Sequence, residues 1–245
     1  MKLSQSLVTA SLAFWSLAHA APPFDIGGIR LVSSAAQARA AISAANPELA
    51  FTDLKQQDGK IVGFDGVQKD PKSFENPDHV LALFNDEGST WFIGRRQNFK
   101  EGTRPTIEAT WAALKEKYGE PSGVGNMDPR NPLNGGRTNA AWIFDRSDKL
   151  YKDPKNRDNP CPMQMAMDFQ ELSGFSVPMR FNGQCGSRLN VEFLYDKNGM
   201  VSELIINAFD SAREYDALKK RQDAEEAAKK NTLDTERAKG VKPKL

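Results

Sequence analysis

The chain has 245 residues, of which 33 are Lys or Arg and 32 are Asp or Glu, and its formal net charge at pH 7 is +1. Proteins that bind nucleic acid usually carry a basic excess on one face, so this balance argues against a nucleic-acid partner. Hydrophobic residues make up 39% of the chain, which is ordinary for a globular protein with a buried core.

The first 20 residues have the features of an export signal. Lys2 gives a positive start, segment 7–17 is apolar apart from small hydroxyl residues, and Ala18-His19-Ala20 matches an A-x-A cleavage site. The apolar run is too short for a transmembrane helix, which needs about 20 residues, although an uncleaved anchor is the alternative. We expect a signal peptide over 1–20, cleavage after Ala20, a periplasmic or secreted product and no transmembrane segment in the mature chain.

Residues 21–121 are predicted to form a first α+β unit. Segment 24–31 is typical of a short strand interrupted by Gly27-Gly28. Ser34 and Gln37 form a capping box at the start of a helix that ends at Asn46-Pro47. Two hairpins follow, at 49–68 around Asp58-Gly59 and at 79–99.

The same unit ends in a second predicted helix over 104–118. Ile107, Trp111, Leu114 and Tyr118 share its apolar face, so Trp111 and Tyr118 are expected to be core residues and not a platform for a ligand. Lys115 and Lys117 stand near its end, where the helix dipole favours cations.

Residues 122–210 are predicted to form a second, β-rich unit. Segment 122–136 is rich in Gly, Pro and Asn and is expected to be a loop or a boundary between units. Segments 137–145 and 163–171 are predicted strands. Residues 189–195 and 200–208 alternate around Asn198-Gly199, which predicts a third hairpin. The expected fold class is α+β, with antiparallel hairpins and helices packed on one face. The helix-then-hairpin order appears twice, which suggests an internal duplication.

Cys161 and Cys185 are the two cysteines of the chain. Export would bring them to a compartment where disulfides persist, so we expect a disulfide that staples the second unit. A redox or metal-binding pair is the alternative, but the C-x-x-C spacing is missing.

Residues 211–245 are predicted to form a charged helix and tail. Glu225 with Lys229, and Glu226 with Lys230, are spaced for ion pairs along one helix. Apolar heptads are missing, so a solvated helix is expected, and a partner-binding arm is the alternative.

Segment 24–31, followed by Ser34 and an Ala-rich helix, resembles the opening of small bacterial envelope domains of the SmpA/OmlA and β-lactamase-inhibitor-like type. The resemblance implies helices against a short antiparallel sheet and a function in binding other envelope or secreted proteins. Val32-Ser33 stands where such domains often have Gly-Met, and the acylated cysteine of the lipoproteins is absent. Segment 106–122 is also similar to segments of proteobacterial secreted proteins.

Residues suited to catalysis are few in this sequence. Once the signal is removed, His79 is the one remaining histidine, and a surface position is its expected role. The G-x-S-x-G, H-E-x-x-H, Walker A and EF-hand patterns are absent. Basic residues interleave with Asp145, Asp148, Asp153 and Asp158, which is typical of a solvated loop. No catalytic residue, metal ligand set or cofactor is predicted.

Two functional hypotheses remain. The first is an exported, noncatalytic protein that binds another envelope or secreted protein. The second is a small-ligand binder or hydrolase whose site forms between the two units, with Trp91, Arg95, Arg96 and Trp142 as candidates. A pocket lined by aromatic groups and at least two desolvated polar groups would favour the second.

Overall fold

The computed structural model describes residues 24–69, 77–126, 135–152, 159–161 and 169–240. The predicted signal peptide therefore lies outside the described residues. The helices are α1 (Ala35–Ala45), α2 (Ile107–Tyr118) and α3 (Ser211–Lys239). The strands are β1 (Asp25–Ile26), β2 (Ile29–Arg30), β3 (Ala50–Lys55), β4 (Ile61–Gln68), β5 (Asp78–Phe84), β6 (Thr90–Asn98), β7 (Gly123–Asn126), β8 (Gly136–Asp145), β9 (Phe169–Leu172), β10 (Phe175–Pro178), β11 (Cys185–Tyr195) and β12 (Val201–Asp210).

Eight strands form one antiparallel sheet in the order β3-β4-β5-β6-β12-β11-β8-β7. A helix and four strands occur twice along the chain, first as α1 with β3 to β6 and then as α2 with β7, β8, β11 and β12. The last strands of the two sets, β6 and β12, pair at the centre of the sheet. The α+β class is confirmed, and the two units share one sheet. The boundaries predicted between them stay a prediction.

The helix starts follow from capping side chains. Ser34 and Gln37 form the predicted capping box at the start of α1. The second helix begins at Ile107, three residues later than predicted, because the Thr106 side chain accepts a hydrogen bond from the Ala109 amide and so defines its N-terminus.

Three local predictions differ from the structure. The predicted strand over 24–31 is a hairpin, because Gly27 and Gly28 have φ values of +59° and +85°, which suit a type I′ turn. The predicted loop after 121 is wrong at Gly123–Asn126, which pairs with β8 as an edge strand. The predicted strand over 163–171 is described only from Phe169, where it pairs with β10.

One face of the sheet, the helix face, carries α1, α2 and the β1–β2 hairpin over a continuous apolar core. Phe24, Ile29 and Ile42 are 2% exposed or less, and they pack with sheet residues that include Phe64, Trp142, Val191 and Phe193. Trp111 is partly buried and lies edge-on to Phe193, with ring centroids 5.3 Å apart. The hairpin and the helices therefore form one layer over the sheet.

The opposite face, the hairpin face, is covered in part by the β9–β10 hairpin. Phe175 and Val177 of β10 pack against Leu81, Phe92 and Phe209. A Cβ on Gly94 would stand 2.6 Å from Phe175 Cδ1, so the glycine is what permits this close approach. The Cys161–Cys185 disulfide is present and packs against Ile143 on the same face.

The charged helix α3 leaves the end of β12. Asp210 caps it by accepting a hydrogen bond from the Arg213 amide at 3.0 Å. Its first turns are partly buried, and residues 219–240 are exposed. Across the described ranges, no helix is both long and apolar enough to cross a membrane.

Candidate functional site

A groove with a volume of about 320 Å³ lies on the helix face where the two units meet. Strands β6 and β12 form its floor, α2 forms one wall, and the turn of the β1–β2 hairpin closes one end. Ligand sites in proteins usually range from about 300 to 1,000 Å³, so the groove is large enough for a small molecule.

The floor is built from two cross-strand pairs. In the register of β6 with β12, Arg95 lies opposite Ile206 and Gln97 lies opposite Leu204. Alternation along each strand places these four side chains on the same face. The floor is therefore apolar along β12 and polar along β6.

The α2 wall and the hairpin turn supply small residues. Ala109 and Ala113 are exposed on α2 and line the groove, so the wall projects little into it. At the turn, a Cβ on Gly27 would lie 2.7 Å from Ile42 Cδ1 and 3.0 Å from Arg95 Nη1. Glycine thus allows the turn to come against the Arg95 side chain.

Arg95 is held by a buried carboxylate. Its Nε donates to Asp78 Oδ1 at 2.9 Å and its Nη2 to Asp78 Oδ2 at 2.7 Å. Asn46 at the end of α1 donates to the same Oδ2 at 2.9 Å. Asp78 lies on β5 and does not line the groove, whereas Arg95 does. This network fixes the guanidinium on the groove side of its partner.

Two residues at the end of α2 connect the helix to the β1–β2 hairpin. The Tyr118 hydroxyl donates to the Asp25 carbonyl at 2.7 Å, and Lys117 Nζ donates to Asp25 Oδ1 at 2.8 Å. Burial is the main cause that raises the pKa of the Tyr118 phenol above its usual range, and the nearby charge of Asp25 raises it further. The phenol therefore stays a hydrogen-bond donor that closes this end of the groove.

Of the candidate residues from the sequence, Arg95 is the one that lines the groove. Arg96 lies on the hairpin face, where it donates to the Gly174 carbonyl and lies over the Phe175 ring. Trp91 packs edge-on against Phe181. Trp142 is fully buried in the core and donates from Nε1 to the Gly119 carbonyl. The structure therefore does not bring these four residues together.

The other titratable candidates also lie apart from the groove. His79 Nε2 lies 2.6 Å from Asp65 Oδ1 and its ring packs on Phe175, on the hairpin face. Asp145 accepts hydrogen bonds from Ser147 and the Lys149 amide within its own turn. Asp153 and Asp158 fall outside the described residues. No cluster of three or more potential metal ligands occurs among the residues that the structure describes.

Sequence reasoning missed several residues of the groove. The alternation of Leu204 and Ile206 places them on one face of a strand. Their neighbours on β6 follow only from the pairing of β6 with β12, two strands that are far apart in the chain. In the sequence, the position of Lys117 near the end of a helix is accounted for by the helix dipole, so nothing there indicates a site. Gln97 follows Arg95 and Arg96 near the end of a predicted strand. No sequence pattern there indicates that its side chain belongs to a site.

Comparison of the chain with protein-family models, with curated proteins and with solved structures finds no match.

Proposed function

We propose that this chain is an exported, noncatalytic binding protein and that the groove between its two units binds a small, largely apolar molecule. The observation that carries the proposal is the groove itself, with a floor that is apolar along β12 and polar along β6, small residues on the α2 wall and a few polar side chains in its lining. Such a combination is typical of small-ligand sites. The largely buried guanidinium of Arg95 and the aromatic rings of Phe99 and Tyr118 in the lining support a ligand site.

The groove suits binding better than chemistry. Its polar groups are Arg95, Gln97, Thr110, Lys117 and Tyr118. The Thr110 hydroxyl donates to the Thr106 carbonyl, and the Tyr118 hydroxyl donates to the Asp25 carbonyl. Two cations, an amide and two occupied hydroxyls can orient a ligand by hydrogen bonds.

Export is part of the same proposal. The Cys161–Cys185 disulfide is of the kind that persists outside the cytoplasm. The A-x-A motif at residues 18–20 supports removal of a leader. Both observations favour a protein that acts in the periplasm or outside the cell.

The test is occlusion of the groove from α2. Ala113→Phe places a large ring on the groove wall, and Ala112→Phe makes the same change at an exposed position of α2 outside the groove lining. With 1-octanol as the probe, we expect a Kd between about 1 mM and 1 μM for the unmodified protein, the range for a ligand of this size. Amide shifts in an NMR titration should concentrate at the groove.

Ala113→Phe is expected to remove these shifts and Ala112→Phe to retain them. Shifts that spread over the surface, or that persist equally in both variants, would show that the groove is not the binding site.

A protein partner is the second candidate function, and α3 is the observation that favours it. Residues 219–240 are exposed along the whole of their length. A helix that is polar on all sides often bridges to another body. The resemblance of segment 24–45 to envelope domains that bind proteins points to the same class of function and stays a hypothesis.

Removal of residues 224–245 tests the arm, because it keeps the ion pair of Arg221 with Asp86, which links α3 to the β5–β6 turn. We expect the shortened protein to keep its urea midpoint and to lose any partner recovered from envelope extract. A partner that the shortened protein retains would exclude the arm as the docking element.

A further inference from the structure

The polar side chains that line the groove include two cations, Arg95 and Lys117, and no anion among the described residues. Arg95 uses Nε and Nη2 on Asp78, and no hydrogen bond of the described residues uses its Nη1, which lies beside Gly27. The Gln97 side chain lines the groove next to Arg95 and makes no hydrogen bond within the described part of the chain. Nη1 and the Gln97 amide are therefore available to a ligand.

The carboxylates that pair with these cations are not part of the groove lining. Asp78 is 5% exposed on β5, one strand further from the groove than Arg95. Asp25 pairs with Lys117, but neither it nor any other carboxylate is among the described residues that line the groove. A ligand in the groove thus contacts Arg95 and Lys117 and not their carboxylate partners.

Lys117 can turn toward a ligand at little cost. Its side chain is 46% exposed and that of Asp25 is 34% exposed. Ion pairs at exposed positions contribute little to stability. The ammonium group can therefore be shared between Asp25 and an anion at the mouth of the groove.

The size of the groove limits the ligand. A volume of about 320 Å³ lies near the lower end of the range for ligand sites, about 300 to 1,000 Å³. The apolar part of the groove lies beside the polar residues of β6. It is lined by Ile26, Phe99, Leu204 and Ile206. The space suits one short apolar chain or ring with a single polar head.

We propose that the groove selects a small amphipathic carboxylate, such as a medium-chain fatty acid, with its head drawn to the cations Arg95 and Lys117, the Gln97 amide as a further donor, and its apolar part over Leu204 and Ile206. The inference rests on the proposed function, because it names the ligand class of the same groove. Charge-assisted hydrogen bonds to a carboxylate are stronger than those to a neutral head.

A calorimetric titration of the disulfide-bonded protein compares three probes with the same chain length, octanoate, 1-octanol and octylamine. We expect octanoate to bind about tenfold or more tightly than either of the others, as one charge-assisted hydrogen bond would give. The preference should decrease as salt is added, because Lys117 is exposed and its charge is screened.

Two variants locate the preference. Lys117→Gln should reduce the ratio of octanoate affinity to octanol affinity several-fold. The double variant that also carries Gln97→Leu should have a lower ratio than Lys117→Gln alone. The matched control is Lys115→Gln, on the same helix and also ion-paired, to Glu120, but outside the groove lining. Urea midpoints of all variants report whether the fold is retained.

The outcomes separate the two proposals. Equal or tighter binding of octanol at the groove would overturn carboxylate selectivity and leave the groove as an apolar site. Tightest binding of octylamine, or an unchanged preference in Lys117→Gln, would also overturn it. If none of the three probes binds, the proposed function itself fails and the carboxylate inference fails with it.

Discussion

At the scale of single residues, Arg95 shows how one side chain serves both the core and the groove. Its side chain is 17% exposed and that of Asp78 is 5% exposed, so both charges are largely removed from water. Burial of a charge is costly unless a partner compensates it. The bidentate pair and the Asn46 amide supply that compensation and at the same time orient Arg95.

Asp78→Ala should therefore destabilise the protein strongly. The change leaves Arg95 without its carboxylate, and breaking a buried ion pair typically costs about 3 to 5 kcal/mol. Asp53→Ala is the control. Asp53 forms an ion pair with Arg39, and their side chains are 35% and 40% exposed, so the loss of unfolding free energy should be about 1 kcal/mol or less. Urea denaturation measures both, and equal losses would contradict the buried role of Asp78.

Glu214 in the first turn of α3 is a residue whose charge opposes folding. Burial is the main cause that raises its pKa above the ordinary value of 4.5, and the nearby charges of Asp86 and Asp210 raise it further. The positive charge of Arg221 lowers the pKa but does not cancel this increase. Its Oε2 atom is buried and has no hydrogen-bond partner among the described residues. The folded state therefore binds the proton more tightly than the unfolded state does.

Glu214→Gln should raise the free energy of unfolding at pH 7, by about 1 kcal/mol or less because solvent screens a partly exposed charge. Well below pH 4.5 the glutamate is protonated in both states, so the advantage should disappear there. As the pH rises through the raised pKa, the native protein loses stability that the variant keeps. Urea midpoints across this range measure the difference, and a variant that is less stable at pH 7 would exclude this account.

At the scale of elements, local patterns predict structure where the chain itself determines it. The Ser34 capping box, the Asp58-Gly59 turn and the alternation on β11 and β12 all form as expected, since each depends on neighbouring residues. Strand β7 is not predicted because Gly123 and Gly125 have low strand propensity. Its partner β8 supplies the hydrogen bonds that stabilise it.

The disulfide links the segment that precedes β9 to the start of β11. Its cysteines are separated by 24 positions in the sequence, and the loop it closes contains the β9–β10 hairpin. Replacement of both cysteines by alanine should cost about 3 kcal/mol in the chain-entropy model. Urea denaturation of the oxidised protein and the double variant measures this cost, and two free thiols in the intact mass of the native protein would refute the pairing.

At the scale of the whole molecule, the site results from how two similar units join. The sequence predicts the order of helices and hairpins and the idea of a site between two units. It does not predict the pairing of β6 with β12, because these strands are far apart in the chain and their register depends on the completed sheet. Arg95 is therefore identified from the sequence without Gln97, Lys117 or the apolar floor that gives it a role.

The central claim is that the groove holds a small apolar molecule in the protein's own environment. The most direct measurement is extraction and mass spectrometry of the small molecules that co-purify with the protein from its native host. We predict that one small compound is recovered with the unmodified protein and with the Ala112→Phe variant, and that it is absent from the Ala113→Phe variant. Equal recovery from both variants, or no bound compound in either, would contradict the account.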